Sequence, residues 1–201
     1  MIAHGSAVVS STQHACIIVD LPFGTYQESP QVAYRTAAKI LAETGCSGVK
    51  LEGGSEMSET IRYLVERGIP VMGHIGLTPQ HFNSIGGFIV QGKNKGSAEK
   101  LVDDATELAH AGAFAIVAEA MPPEVGAATT KATSVPIIGI GAGKECDGQI
   151  LITEDIIGLS GDFLPKFVKR YADVGSQIRK GVDEFVSEVQ EGTFPDSCLL
   201  Y

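Results

Sequence analysis

Five polar side chains stand at or near the ends of short apolar runs. Asp20 closes Ile17-Ile18-Val19, and Lys50 and Glu52 sit in Val49-Lys50-Leu51-Glu52-Gly53-Gly54. His74 lies in Val71-Met72-Gly73-His74-Ile75-Gly76, and Glu119 closes Ala115-Ile116-Val117-Ala118. Two or three carboxylates, an ammonium and an imidazole at one place suit general acid–base chemistry, with a divalent cation or a lysine balancing negative charge. A carboxylate at Asp20 binds such a cation or caps the following turn; Mg²⁺ often takes only one or two carboxylates and keeps several waters. Lys50 and Glu52 project to the same side of an extended strand. They either pair with each other or act on a ligand, because unpaired charges at the end of an apolar strand are costly. His74 reads as a hydrogen-bonded core residue, or as a site residue to which the neighbouring glycines admit a ligand. Glu119, shielded from water by the most apolar strand, is a candidate general base. Its alternative role is a cap for the helix after Pro122-Pro123.

These residues meet only if their strands are parallel and neighbouring. Apolar runs are read as strands over 16–20, 47–51, 70–73, 113–118 and 135–140, with a last short one at Phe167-Val168. Helical stretches alternate with them. Ser29-Pro30 is an N-cap followed by proline at the first helical position, and Gly45 ends that helix. Further helices are read over 56–67, 98–111 and 123–133, and Thr78-Pro79-Gln80 looks like another capped start. Met1 to Val9 resembles the back half of a helix. Residues 83–96 carry Gly86, Gly87, Gly92 and Gly96 and read as a loop or lid. The tail from about Gly175 to Glu191 is an amphipathic helix, with Ile178, Val182, Phe185, Val186 and Val189 on one face. Strands joined by crossover helices run parallel, so their C-terminal ends share one face, where open α/β sheets and (β/α) barrels carry their chemistry.

Gly139-Ile140-Gly141-Ala142-Gly143 has the form GxGxG, but no helix pattern opens after it and Asp147-Gly148 suggests another turn. It reads as a tight loop against substrate or barrel floor, not as a dinucleotide fingerprint. No Walker loop, HExxH or GxSxG occurs.

The chain has 201 residues, is 44% hydrophobic, and carries a formal net charge of −9 with a pI near 5.0. That suits one compact domain over 1–201 and argues against nucleic-acid binding. Cys16, Cys46, Cys146 and Cys198 form no CxxC pair; they read as mostly buried thiols in a reducing, cytoplasmic compartment. No signal-peptide pattern opens the chain, and no run approaches the ~18 apolar residues of a membrane span.

With these residues in place, the chain resembles the ketopantoate hydroxymethyltransferase family. The resemblance rests on Asp20-Leu21-Pro22-Phe23-Gly24, Val49-Lys50-Leu51-Glu52-Gly53-Gly54 and Gly73-His74-Ile75-Gly76-Leu77-Thr78-Pro79-Gln80. It continues through Gly86-Gly87-Phe88, Val90-Gln91-Gly92, Glu119, Ile137 to Gly143, Cys146-Asp147-Gly148-Gln149 and Pro165-Lys166-Phe167. Together these span about residues 1–195.

The resemblance implies an α/β fold, a (β/α)₈ TIM barrel of the phosphoenolpyruvate/pyruvate-binding type with about six of its eight strands in this chain. It implies transfer of a hydroxymethyl group from 5,10-methylenetetrahydrofolate to 3-methyl-2-oxobutanoate, giving 2-dehydropantoate in pantothenate biosynthesis, through a Mg²⁺-stabilised enolate. Asp20 then matches a Mg²⁺ ligand in contact with substrate, and Glu52 a carboxylate beside the metal, reached through its waters. Lys50 and His74 match residues that hold the keto acid or its product, and Glu119 the base. The implied partners are the keto acid and the folate, with no nucleic acid or membrane, and a homo-oligomer, commonly a decamer in the family. The family ordinarily starts with two further βα units, the second ending in a G-D-S-L-G block that supplies another Mg²⁺ ligand and a substrate-binding serine. Here the only Asp-Ser is Asp196-Ser197 in the tail. The chain therefore reads as N-terminally truncated relative to the family. A lyase or mutase of the same superfamily is a second enzyme reading. A non-catalytic remnant, binding keto acid or joining an intact homologue, is the reading of a different class.

Overall fold

The computed structural model describes residues 1–161 and 164–199. It divides into two compact units, residues 1–150 and 151–201.

The first unit is a regular alternation of helices and parallel strands. Helix α1 (Ile2–Ser11) leads to β1 (Ile18–Asp20), α2 (Pro30–Thr44), β2 (Gly48–Lys50), a 3₁₀ turn at Ser55–Met57 and α3 (Ser58–Val65). Then come β3 (Val71–Gly76), a 3₁₀ turn at Pro79–His81, α4 (Phe82–Ile85), α5 (Lys95–His110) and β4 (Ala115–Glu119). Helix α6 (Pro123–Ala132), β5 (Ile137–Ile140) and β6 (Gly148–Gln149) complete it. The strands lie side by side in chain order, and every pairing is parallel. The register sets Asp20 beside Lys50 and Gly76 beside Glu119. All strand C-termini therefore point the same way, as parallel strands joined by crossover connections must.

Local chemistry explains the helix bounds. The Ser29 side chain accepts from Val32 N, Pro30 occupies the first helical position, and Gly45 ends α2 in the left-handed region at φ 72°. Asn94 and Ser97 form a reciprocal capping box that starts α5 three residues before the helix read from the apolar period. The core lies between sheet and helices. Ala33, Ala37 and Ile40 of α2, Ile61 and Leu64 of α3, and Leu101, Ala105 and Leu108 of α5 are buried against Val19, Val49, Val71, Ile116 and Ile137. The first four residues of β4 are all buried, as expected of a parallel strand covered on both faces.

Four sequence expectations are corrected. Phe167 and Val168 form no strand; Val168 N donates to Pro165 O across a turn. The sixth strand is instead Gly148–Gln149, within what the sequence suggested was a turn. A two-residue strand is too short for any apolar period to reveal. Segment 83–96 overlaps the one-turn helix α4, which closes on Gly86 at φ 81°, and it contains the start of α5. Cys16 and Cys198 are exposed; only Cys46 is buried, with Cys146 intermediate. Burial raises the Cys146 thiol pKa, so it is not an activated nucleophile.

The second unit holds α7 (Thr153–Ile157), which the sequence reading missed, and α8 (Val174–Glu191), which it anticipated. Asp173 caps α8 by accepting from Ser176 N, and Gly192 ends it at φ 73°. The apolar stripe of α8 is about half-exposed: Ile178 52%, Val182 55% and Phe185 51%. Among the described residues no helix is long and apolar enough to cross a membrane.

Candidate active site

The C-terminal ends of β1 to β4 bring the five candidate side chains together. Lys50, the last residue of β2, sends Nζ to Asp20 Oδ1 at 2.9 Å and to His74 Nδ1 at 3.2 Å. Glu52 Oε1 stands 3.9 Å from His74 Nδ1, and Glu119 Oε2 stands 3.0 Å from His74 Nε2. The imidazole is the hub, joining Lys50 and Glu52 on one side to Glu119 on the other.

Lys50 and Glu52 do share a side, but Lys50 pairs with Asp20, not with Glu52. The parallel register that sets these two residues opposite each other explains the choice. At the glycines beside His74 the space a side chain would need is filled by protein. A Cβ on Gly73 meets Leu108 Cδ1 at 2.8 Å, and one on Gly76 meets Glu119 O at 2.2 Å. Gly76 also holds φ 90°, so it brings β3 and β4 close at the point where Glu119 emerges. Glu119 caps nothing: α6 starts after Pro122 with no side-chain cap. The GxGxG loop packs inward, with Gly143 against Pro123 and Gln149 Nε2 donating to Gly143 O.

The proton positions follow from the partners. An ammonium at Lys50 can only donate, so Nδ1 of His74 accepts and the neutral ring carries its proton on Nε2. Nε2 is buried and makes no well-aligned hydrogen bond, although Glu119 Oε2 is within reach. The contact has the right length and the wrong angle, leaving a donor available to an oxygen placed beside Glu119.

Three carboxylates and one ammonium meet here, and Glu52 and His74 are buried at 5% and 3% exposure. An anionic substrate adds to that negative excess, which a cation would offset. Among the described residues no three His, Cys, Asp or Glu side chains are grouped to hold one metal ion. The oxygen donors of Asp20 and Glu52 fit Mg²⁺, which relies on water and substrate oxygens for most of its shell.

Around these five lies a second set that the sequence reading did not single out. Gln80 N donates to Glu52 Oε2 at 2.9 Å, and Gln80 Nε2 donates to Leu21 O at 2.8 Å. Tyr26 OH donates to Gln80 Oε1 at 2.9 Å and accepts from Glu52 N at 3.2 Å. Burial, the largest cause, raises the Tyr26 phenol pKa to about 12. On the far side, Asp104 of α5 accepts from Ser55 N and from Lys100 Nζ, and fills the space a Cβ on Gly54 would need. Asp104 had a signal: it is a carboxylate on the apolar face formed by Leu101, Ala105 and Leu108. A cleft of about 300 Å³ opens beside this end of β3, its walls including Gly53, Gly76, Thr78, Gln91 and Lys100.

Six parallel strands with their polar residues gathered at one end define the class of fold, a (β/α)₈ barrel of which the described residues hold six strands. The crystal structure of phosphonopyruvate hydrolase shares this fold, with a TM-score of 0.55 over all of this chain and 70% of that one, at 14% identity. The ketopantoate hydroxymethyltransferase family model matches residues 1–197. The 3-methyl-2-oxobutanoate hydroxymethyltransferase of Paracoccus denitrificans is 52% identical over 195 residues, which are 97% of this chain and 71% of that protein. 3-Methyl-2-oxobutanoate hydroxymethyltransferase 1 of Burkholderia lata is 52% identical over 201 residues, all of this chain and 70% of that protein. The chain belongs to the ketopantoate hydroxymethyltransferase family.

Proposed function

We propose that this chain transfers a hydroxymethyl group from 5,10-methylenetetrahydrofolate to 3-methyl-2-oxobutanoate, giving 2-dehydropantoate for pantothenate synthesis. The observation that carries the reading is the single chain of contacts from Asp20 through Lys50 and His74 to Glu119 at the ends of four adjacent strands. Lys50 balances the negative charge of the keto acid. Glu119 accepts the proton from C3, and the C3 electron pair then forms a bond to the one-carbon unit. A water molecule supplies the hydroxyl group, both carbon–nitrogen bonds to the folate break, and the two folate nitrogens take up the proton lost from C3 and the second proton of that water. His74 Nε2–H donates to an oxygen beside Glu119 and so steadies developing negative charge. Asp20, and Glu52 through water, would hold Mg²⁺, which when bound supplies Lewis-acid stabilisation of that charge.

The protein acts in the cytoplasm and forms a homo-oligomer. The half-exposed apolar stripe of α8 supports assembly, because such a stripe is costly to leave in water.

The test follows the C3 proton of 3-methyl-2-oxobutanoate by NMR in D₂O with Mg²⁺ and no folate. Enzyme-dependent loss of the C3 signal supports the reading. A folded sample that leaves the signal intact overturns it for this chain.

A further inference from the structure

The block Gly73-His74-Ile75-Gly76-Leu77-Thr78-Pro79-Gln80 contains one site residue, His74, and seven others with no role in the proposed chemistry. Its last residue makes more links between loops than any member of the site. Gln80 lies in the 3₁₀ turn after β3. Its backbone N–H reaches Glu52 after β2, and its side-chain amide donates to Leu21 O, the residue after Asp20. Its amide oxygen accepts from Tyr26 OH at 2.9 Å and from Gln27 Nε2 at 3.4 Å. Tyr26 is fully buried and closes the circuit by accepting from Glu52 N. Three loops, each following a strand that bears a site residue, are tied together at one residue, by its backbone N–H to Glu52 and by its side-chain amide to Leu21, Tyr26 and Gln27.

We infer that Gln80 and Tyr26 form a positioning clamp that sets Glu52 and the Asp20-bearing loop relative to His74. The inference rests on the hydroxymethyl transfer proposed above. The side-chain chemistry is specific. The position needs a donor toward a carbonyl and an acceptor toward a phenol at the tip of one side chain. Glutamate supplies no donor, and asparagine is one methylene shorter. Buried circuits of this kind are rigid when every member is satisfied and lose their order when one is removed. Neither residue contacts His74, Lys50 or Glu119 in the contacts above, so the clamp acts through Glu52 and Leu21.

Tyr26→Phe, Gln80→Ala and the double variant test this against the wild-type 201-residue chain. The expected result is a kcat for C3 exchange lowered about tenfold to a hundredfold in each single variant, the scale of a misplaced catalytic group. KM for the keto acid changes less than about threefold, and the melting temperature moves by no more than about 4 °C. The double variant is no slower than the worse single one, because the two act as a unit. In metal-free protein without substrate, the backbone amides of Glu52 and Gln80 lose hydrogen-exchange protection in both single variants. Wild-type kcat in either variant, losses that multiply in the double, or losses that track melting temperature overturn the inference. If Gln80→Ala does not fold, the near-isosteric Tyr26→Phe decides. If the wild-type chain shows no C3 exchange, the proposed function fails and the clamp is judged on the amides alone. Protection kept in Tyr26→Phe then overturns it, and protection lost supports it.

Discussion

At the scale of single residues, the site turns on which atom of His74 faces which partner. Lys50 engages Nδ1, so the Nε2 side is committed to Glu119 and to whatever oxygen lies beside it. Glu119→Gln keeps the size of the side chain and removes its basicity. The expected outcome is loss of C3 exchange by at least about a hundredfold, the usual scale for a general base, with an unchanged circular dichroism spectrum. Asp20→Ala removes the carboxylate that faces Lys50 and, in the proposed function, the metal. A titration of exchange against Mg²⁺ is expected to shift to higher concentration, and an unchanged titration refutes the ligand role. Tyr26 supplies a pH prediction. Its phenol holds its proton to about pH 12, against an ordinary value of 10.0. Between those values the folded chain binds more protons than the unfolded one, so stability falls as pH rises through that window. Spectrophotometric titration of tyrosine is expected to show a late component that Tyr26→Phe lacks.

At the scale of elements, the strand ends are held from both sides. The Glu52-bearing loop leans on Gln80 and Tyr26 at one edge and on Asp104 of α5 at the other. Asp104→Ala leaves Ser55 N without its acceptor and opens space under Gly54, which already lies against the carboxylate. An unfolding midpoint in urea is expected to report a loss of about 1–3 kcal/mol. Lys100, largely exposed and one helical turn away, contributes far less, so Lys100→Ala is expected to change stability by under about 1 kcal/mol. Gly76→Ala is expected to be more damaging than either, because a Cβ there meets the Glu119 backbone where no side chain can rotate away. The helix bounds were largely legible: Ser29, Pro30 and Gly45 are signals that act within a few residues. Thr78-Pro79 likewise marked the 3₁₀ turn Pro79–His81 that runs into α4, but α7 and β6 were not legible, being too short for a hydrophobic period to build up.

At the scale of the whole molecule, the two units differ in how they satisfy their apolar surface. The first buries Val19, Val49, Val71, Ile116 and Ile137 beneath its helices. In the second, α8 leaves a stripe of five apolar residues about half in water. If a second copy of this chain covers that stripe, sedimentation equilibrium is expected to give a mass at least twice 21.1 kDa, and Phe185→Asp a smaller one. A wild-type monomer refutes assembly.

From its residues alone the chain determined the alternation of strand and helix, the parallel sheet, and the five side chains at or near the ends of its strands. All of these follow from short-range periodicity and from glycine and proline punctuation. Tertiary structure alone decided who meets whom. Lys50 chooses Asp20 over Glu52 because strand register puts the first pair opposite each other. Gln80 reaches Leu21 across 59 positions of sequence. No local pattern encodes a contact of that span; it exists only once crossover helices have stacked the strands and brought their ends to one rim.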